Sequence, residues 1–157
     1  RFLCQLGFRV LAVDPGDVAT VDGVEHWRML GGQAIAQLLR SDGQGENSEE
    51  EGRHQLPRPP FAAYVTDANI PPSETLDMLE AALPMLLQGA KVVATMKNTF
   101  KSKQEWLAAK TAAMHRFRCW ITDESLREVH LLANTPKETT FLGVYRGEGC
   151  RCGLPES

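Results

Sequence analysis

The chain has 157 residues and a formal net charge of −3, enough length for one domain with a real core. No apolar run approaches the roughly 18 residues of a membrane span, and no secretory signal opens the sequence. The charge total says little against an anionic partner, because residues 42–60 alone hold five acids and two bases and leave 15 of each sign elsewhere. Cys4, Cys119, Cys150 and Cys152 contain only one close pair, and His26, His54, His115 and His130 are scattered. Neither set has the spacing of metal ligands, so no metal is expected, and the thiols are expected to be reduced in an intracellular, cytoplasmic or organellar protein.

In chain order, Arg1 to Leu6 reads as the last turns of a helix, with Gly7 suited to the left-handed position after it. Phe8–Val13 follows as a strand, closed by the turn Asp14-Pro-Gly-Asp17. An acid at the tip of such a strand is the usual partner of a ribose diol, since a carboxylate accepts two hydroxyl hydrogens at once. A turn-forming aspartate explains Asp14 equally well. Val24–Arg28 is a short strand, Gly31-Gly32 a break, and Gln33–Leu39 a short helix with Ile35, Leu38 and Leu39 on one face. Residues 42–60 are rich in Gly, Glu, Ser and Pro and lack periodicity, so they read as a disordered insert in one surface loop.

Phe61–Val65 is the next buried strand, left through Thr66-Asp67. Ser73 is placed to cap a helix whose stripe is Leu76, Leu79, Leu83 and Leu86, with Pro84 splitting it. Gly89 is a stop. Lys91–Met96 is a strand buried on both faces, and Lys97 stands at its carboxyl end, where open α/β sheets bind ligands. On the strand alone, Lys97 reads first as a strand-end marker pointing to water. A helix from Lys101 to about Trp120 packs Trp106, Ala109, Ala113, Phe117 and Trp120 inward. It also carries Lys101, Lys103, Lys110, Arg116 and Arg118, read as a solvated face or as a phosphate-contacting edge. Ile121–Arg127 is ambiguous. Val129–Ala133 and Thr139–Tyr145 form the last strand pair, joined through Asn134–Glu138, and residues 146–157 form a loose tail. If the final strand runs antiparallel to its neighbours, Glu138 begins it at the edge where Asp67 and Lys97 end.

The stretches Val65-Thr-Asp67, Ala94-Thr-Met-Lys97 and Ala133-Asn-Thr-Pro-Lys-Glu138-Thr-Thr-Phe-Leu, in this order, resemble the FtsJ-like family of S-adenosylmethionine-dependent RNA ribose 2′-O-methyltransferases. The resemblance is greatest to the branch acting on large-subunit ribosomal RNA, and it spans residues 1–145 apart from the insert. It implies a Rossmann-like α/β fold with a mostly parallel sheet and an antiparallel last strand. It also implies S-adenosylmethionine as cofactor and RNA, in particular ribosomal RNA, as partner. Asp67, Lys97 and Glu138 take the catalytic places of a Lys-Asp-Lys-Glu tetrad, and Asp14 and Asp67 those of cofactor binding. The family's first strand, its glycine-rich loop and the first lysine of the tetrad have no counterpart in the sequence. The chain therefore reads as N-terminally truncated, and by itself is expected to be inactive. An acid often found near the adenine is also missing, the matching stretch being Arg28-Met-Leu-Gly-Gly32.

In this reading Lys97 is the general base for a ribose 2′-hydroxyl, oriented by Asp67 and Glu138, and its pKa must be lowered for the task. Two other functions use the same fold. A nicotinamide-dependent oxidoreductase would use Asp14 for its cofactor ribose. A non-catalytic RNA-binding module would keep the sheet without the cofactor.

Overall fold

The computed structural model describes residues 2–19, 21–41, 58–131 and 138–147. It divides into two units, Arg1–Pro59 and Pro60–Ser157, each taken by itself. Among the described residues no helix is long and apolar enough to cross a membrane.

In the first unit a short helix α1 (Phe2–Gln5) ends at Gly7, whose φ of 84° is the left-handed turn foreseen for it. Strands β1 (Val10–Val13) and β2 (Val24–Trp27) pair in parallel, with Val13 opposite Trp27. Helix α2 (Gly31–Ser41) buries Ala34, Ile35 and Leu38. Two expectations fail here. The helix begins at Gly31, two residues before the expected Gln33, and Leu39 lies on the exposed side. Glycine costs a helix about 1 kcal/mol against alanine through backbone entropy, and burial of Ala34, Ile35 and Leu38 along one face offsets it. The insert assigned to residues 42–60 lies outside the described residues except for Arg58–Pro60, which carry no helix or strand.

The second unit is a four-stranded sheet in the order β3 (Phe61–Thr66), β4 (Leu86–Lys97), β6 (Glu138–Val144), β5 (Arg127–Val129). β3 and β4 are parallel, while β6 is antiparallel to both β4 and β5. The crossover between β3 and β4 is helix α3 (Pro72–Ala82), followed by a 3-10 turn over Leu83–Met85. Pro84 splits the helical stripe as its missing N–H requires. The helix starts one residue before the expected cap: Pro71 is the N-cap and Pro72 occupies the first turn, where proline loses no hydrogen bond. Gly89 does not stop β4. It lies within the strand at φ 86°, at the irregularity where the register to β3 shifts, so β4 runs back to Leu86.

Helix α4 (Lys103–Arg118) opens on a capping box that the hydrophobic pattern does not signal. Ser102 Oγ accepts the Glu105 N–H at 3.1 Å while the Glu105 carboxylate accepts the Ser102 N–H. Ala90, Val92, Ala94 and Met96 alternate on the β4 face that packs with Leu76, Leu79, Ala113, Phe117 and Phe141 into the core. The α3 and α4 helices are also tied by Arg116, which reaches Asp77 at 2.6 Å and Glu80, and lies over the Trp120 ring. Cys119, the C-cap of α4, is disulfide-bonded, contrary to the expected reduced thiols. Among the described residues Cys4 is a free cysteine.

Ile121, which the sequence left ambiguous, bridges to Tyr145 and is fully buried. Its side chain fills the space over Gly143, where an added Cβ would stand 2.1 Å from Ile121 Cγ2. Gly143→Ala must therefore displace a buried residue and is expected to cost about 1–3 kcal/mol. A urea midpoint unchanged from wild type would show that Ile121 has room to move.

Candidate active site

Parallel pairing brings the carboxyl ends of β3 and β4 to one edge, and antiparallel β6 begins there. Lys97 is opposite Glu138 in the β4–β6 register, and Asp67 is the first residue beyond β3. Lys97 Nζ lies 2.8 Å from Asp67 Oδ1 and 2.9 Å from Glu138 Oε1. The structure thus brings together the three residues that the sequence singled out.

The Lys97 and Glu138 side chains keep only 13% and 16% of their exposure, whereas Asp67 keeps 69%. One carboxylate is therefore enclosed with the lysine and the other is open to solvent. On the same sheet face, one pleat below Lys97 and Glu138, the buried hydroxyls of Thr95 and Thr140 share a hydrogen bond of 3.2 Å. This pair was not foreseen; strict alternation from Lys97 and Glu138 back to Thr95 and Thr140 is the signal that could have found it. His130 Nδ1 meets the Glu138 carbonyl at 3.1 Å, which fixes the start of β6. Because a carbonyl only accepts, that nitrogen is the protonated one. Beyond Lys97, Asn98 Oδ1 accepts the Phe100 N–H at 3.0 Å and shapes the turn into α4.

Burial is the largest single influence on Lys97 and pulls its pKa down. The hydrogen bonds and charges of Asp67 and Glu138 together outweigh it, so the net shift is upward and Lys97 is held as an ammonium. Tyr64, on the helix-facing side of β3, is pushed up to about 12 by burial, against a smaller lowering from its hydrogen bond to Thr66, and remains a neutral phenol. The Lys97 shift has a stability consequence. A pKa raised on folding stabilises the native state below the unfolded value of 10.5, and that contribution is lost as pH rises through the higher native value. The stability gap between wild type and Lys97→Met should hold steady up to the unfolded value of 10.5 and narrow as pH rises above it in urea titrations. A gap that stays constant above that value would mean that the two carboxylates do not hold the proton on Lys97.

In the first unit Asp14 follows β1. Its Oδ1 accepts the Gly16 N–H at 2.7 Å, and its carbonyl meets His26 Nε2 at 3.0 Å. Oδ2 has no partner among the described residues, and Asp14 is exposed, so the carboxylate can accept from a ribose hydroxyl. Arg28 in the adjacent turn pairs with Asp17 at 2.8 Å, on the surface. Among the described residues no group of three or more His, Cys, Asp or Glu is placed to hold a metal ion.

No protein-family model matches the sequence, and no curated protein sequence does. Among solved structures the chain is similar to the crystal structure of human Methyltransferase-like protein 13 in complex with SAH. The TM-score is 0.52 at 12% identity, over 87% of this chain and 55% of that one. At such identity the likeness is one of fold. The chain has an α/β architecture with a mixed parallel and antiparallel sheet, similar to the Rossmann-like methyltransferase fold. It spans 55% of the length of the chain it matches.

Proposed function

We propose that the protein transfers a methyl group from S-adenosylmethionine to a ribose 2′-hydroxyl of RNA, ribosomal RNA in particular. The observation that carries this reading is Lys97 held between Asp67 and Glu138 at the carboxyl edge of β3 and β4. A nicotinamide-dependent oxidoreductase has no use for that ion cluster, and the similar solved fold belongs to a methyltransferase crystallised with SAH. S-adenosylmethionine, when bound, supplies an electrophilic methyl carbon on a sulfonium. The exposed oxygen of Asp67 can accept from cofactor or substrate; Asp14, in the first unit, has an exposed oxygen that can accept from a ribose hydroxyl.

The remaining chemistry falls to Lys97. Its ammonium has three N–H groups and two carboxylate partners, so the third can donate to the 2′-oxygen and orient it for attack. To take the hydroxyl proton Lys97 must first lose one of its own, and its raised pKa opposes this. A second cation beside it, occupying Asp67 or Glu138, would reverse the shift. A base role for Lys97 therefore requires such a cation beside it when RNA is bound.

The test is incubation of the full-length protein with labelled S-adenosylmethionine and ribosomal RNA. Nuclease digestion and mass spectrometry then locate the label. A 2′-O-methylnucleoside is the expected product, and label on a base would overturn the proposal. The upward shift of Lys97 also favours a second reading, a non-catalytic RNA-binding module, which would retain RNA and incorporate no methyl group.

A further inference from the structure

A groove of about 200 Å³ runs between α4 and β5, lined by Lys110, Thr111, Met114, His115, Arg118 and Glu128. Its one acid is already engaged: Glu128 Oε1 accepts from Lys110 at 2.6 Å and from Thr139 Oγ1 at 3.3 Å. Arg118 lines the same groove with an exposed guanidinium that has no ion pair or hydrogen bond among the described residues. Lys103, exposed and likewise unpaired, stands on the same side of α4, seven residues before Lys110. At 3.6 residues per turn, Lys103, Leu107, Lys110, Met114 and Arg118 fall within an arc of about 80°, and the strip is about 22 Å long. It alternates cations with apolar surface: Lys103 and Arg118 are unpaired among the described residues, Lys110 between them is held by Glu128, and Leu107 is 46% exposed. Charge spaced along a narrow apolar strip suits a single polynucleotide strand, with phosphates on the cations and sugars or bases on the side chains between them. The strip opens close in sequence to the candidate site, Lys103 beginning α4 six residues after Lys97, while Thr139, which donates to Glu128, follows Glu138 in β6 on the opposite, helix-packed face of the sheet.

We infer that the α4–β5 groove and the exposed strip of α4 hold the phosphates of a single-stranded RNA segment flanking the acceptor nucleotide. This rests on the reading of RNA as the acceptor. Arg118 and Lys103 contact phosphates, and Lys110 holds Glu128 away from them.

The test is fluorescence anisotropy of a labelled single-stranded RNA on the full-length protein at low and moderate salt. Arg118→Glu and Lys103→Glu break no side-chain ion pair or hydrogen bond among the described residues. Each is expected to weaken binding about tenfold at low salt and to lower the salt slope by about one. Lys91→Glu makes the same charge change on an exposed lysine away from the groove and is expected to change affinity less than about twofold. Equal losses for all three variants would show only diffuse attraction and overturn the inference, as would no loss from Arg118→Glu. Competition by polyglutamate of equal length as effective as unlabelled RNA would overturn it too, in favour of an acidic protein partner. Binding is read without methyl transfer, so the two proposals fail separately. Groove-dependent RNA binding without methylation defeats the enzyme alone, and methylated RNA with an unaffected Arg118→Glu variant defeats the groove alone.

Discussion

Lys97→Met is expected to lower methyl transfer about 10²- to 10⁴-fold, the range lost with a general base. The fold should survive, because the side chain ends at a sheet edge rather than in the core formed by Val92, Ala94 and Met96. Some stability should go with it, since Glu138 would be left enclosed without its cation. Lys97→Arg separates the two roles open to this residue. Arginine keeps a positive charge between Asp67 and Glu138 but cannot give up its proton near neutral pH. If Lys97 accepts the hydroxyl proton, the arginine variant is as inactive as the methionine variant. If Lys97 only orients the 2′-oxygen as an ammonium, arginine retains much of the rate. In the wild type a base role requires activity to rise with pH on a limb well below the ordinary lysine range, whereas the pair of carboxylates alone pushes Lys97 the other way. Folding is checked by circular dichroism. Full activity in Lys97→Met would remove this edge from the chemistry altogether.

The features most legible in the sequence were those set by hydrophobic runs and by the polar residue that ends each run. Val92 to Met96 declared a buried strand, and the polar residue ending it had to be Lys97. Asp67 came from the same logic one strand earlier. Glu138 was harder, because its place at the edge depended on β6 running antiparallel, which the short joining segment suggested. The features missed were set by backbone satisfaction rather than by pattern. A positive φ lets Gly89 carry a strand through an irregularity as easily as it ends one. Pro71 and Pro72 begin α3 ahead of Ser73 because proline suits a first turn whose donors are free. The Ser102–Glu105 box was readable from spacing alone, since it joins a hydroxyl to a carboxylate three residues on. The Thr95–Thr140 pair was readable only through the Lys97–Glu138 register, from which alternation leads back to two residues 45 positions apart.

Phe117→Ala is expected to destabilise the protein by about 3–5 kcal/mol, the range for truncating a buried aromatic side chain. Phe117 has no exposed surface, and its ring lies 5.5 Å from that of Phe141, tilted by 48°. One ring comes from α4 and the other from β6, so the contact fastens the helix to the strand that begins with Glu138. Removing it opens a cavity among Leu76, Leu79, Val92, Ala94 and Ile121, none of which can fill it without leaving its own contacts. Loss of the aromatic pair adds to the loss of buried area. Phe117→Leu keeps most of the volume and is expected to cost under half as much. The two variants, compared by urea denaturation, also test how far the site depends on the core. A looser β6 lets Glu138 drift from Lys97, so residual folded Phe117→Ala protein should show lower methyl transfer per folded molecule than Phe117→Leu. A cost below about 1 kcal/mol for Phe117→Ala would mean that the core collapses around the missing ring, and that α4 does not hold β6 in register.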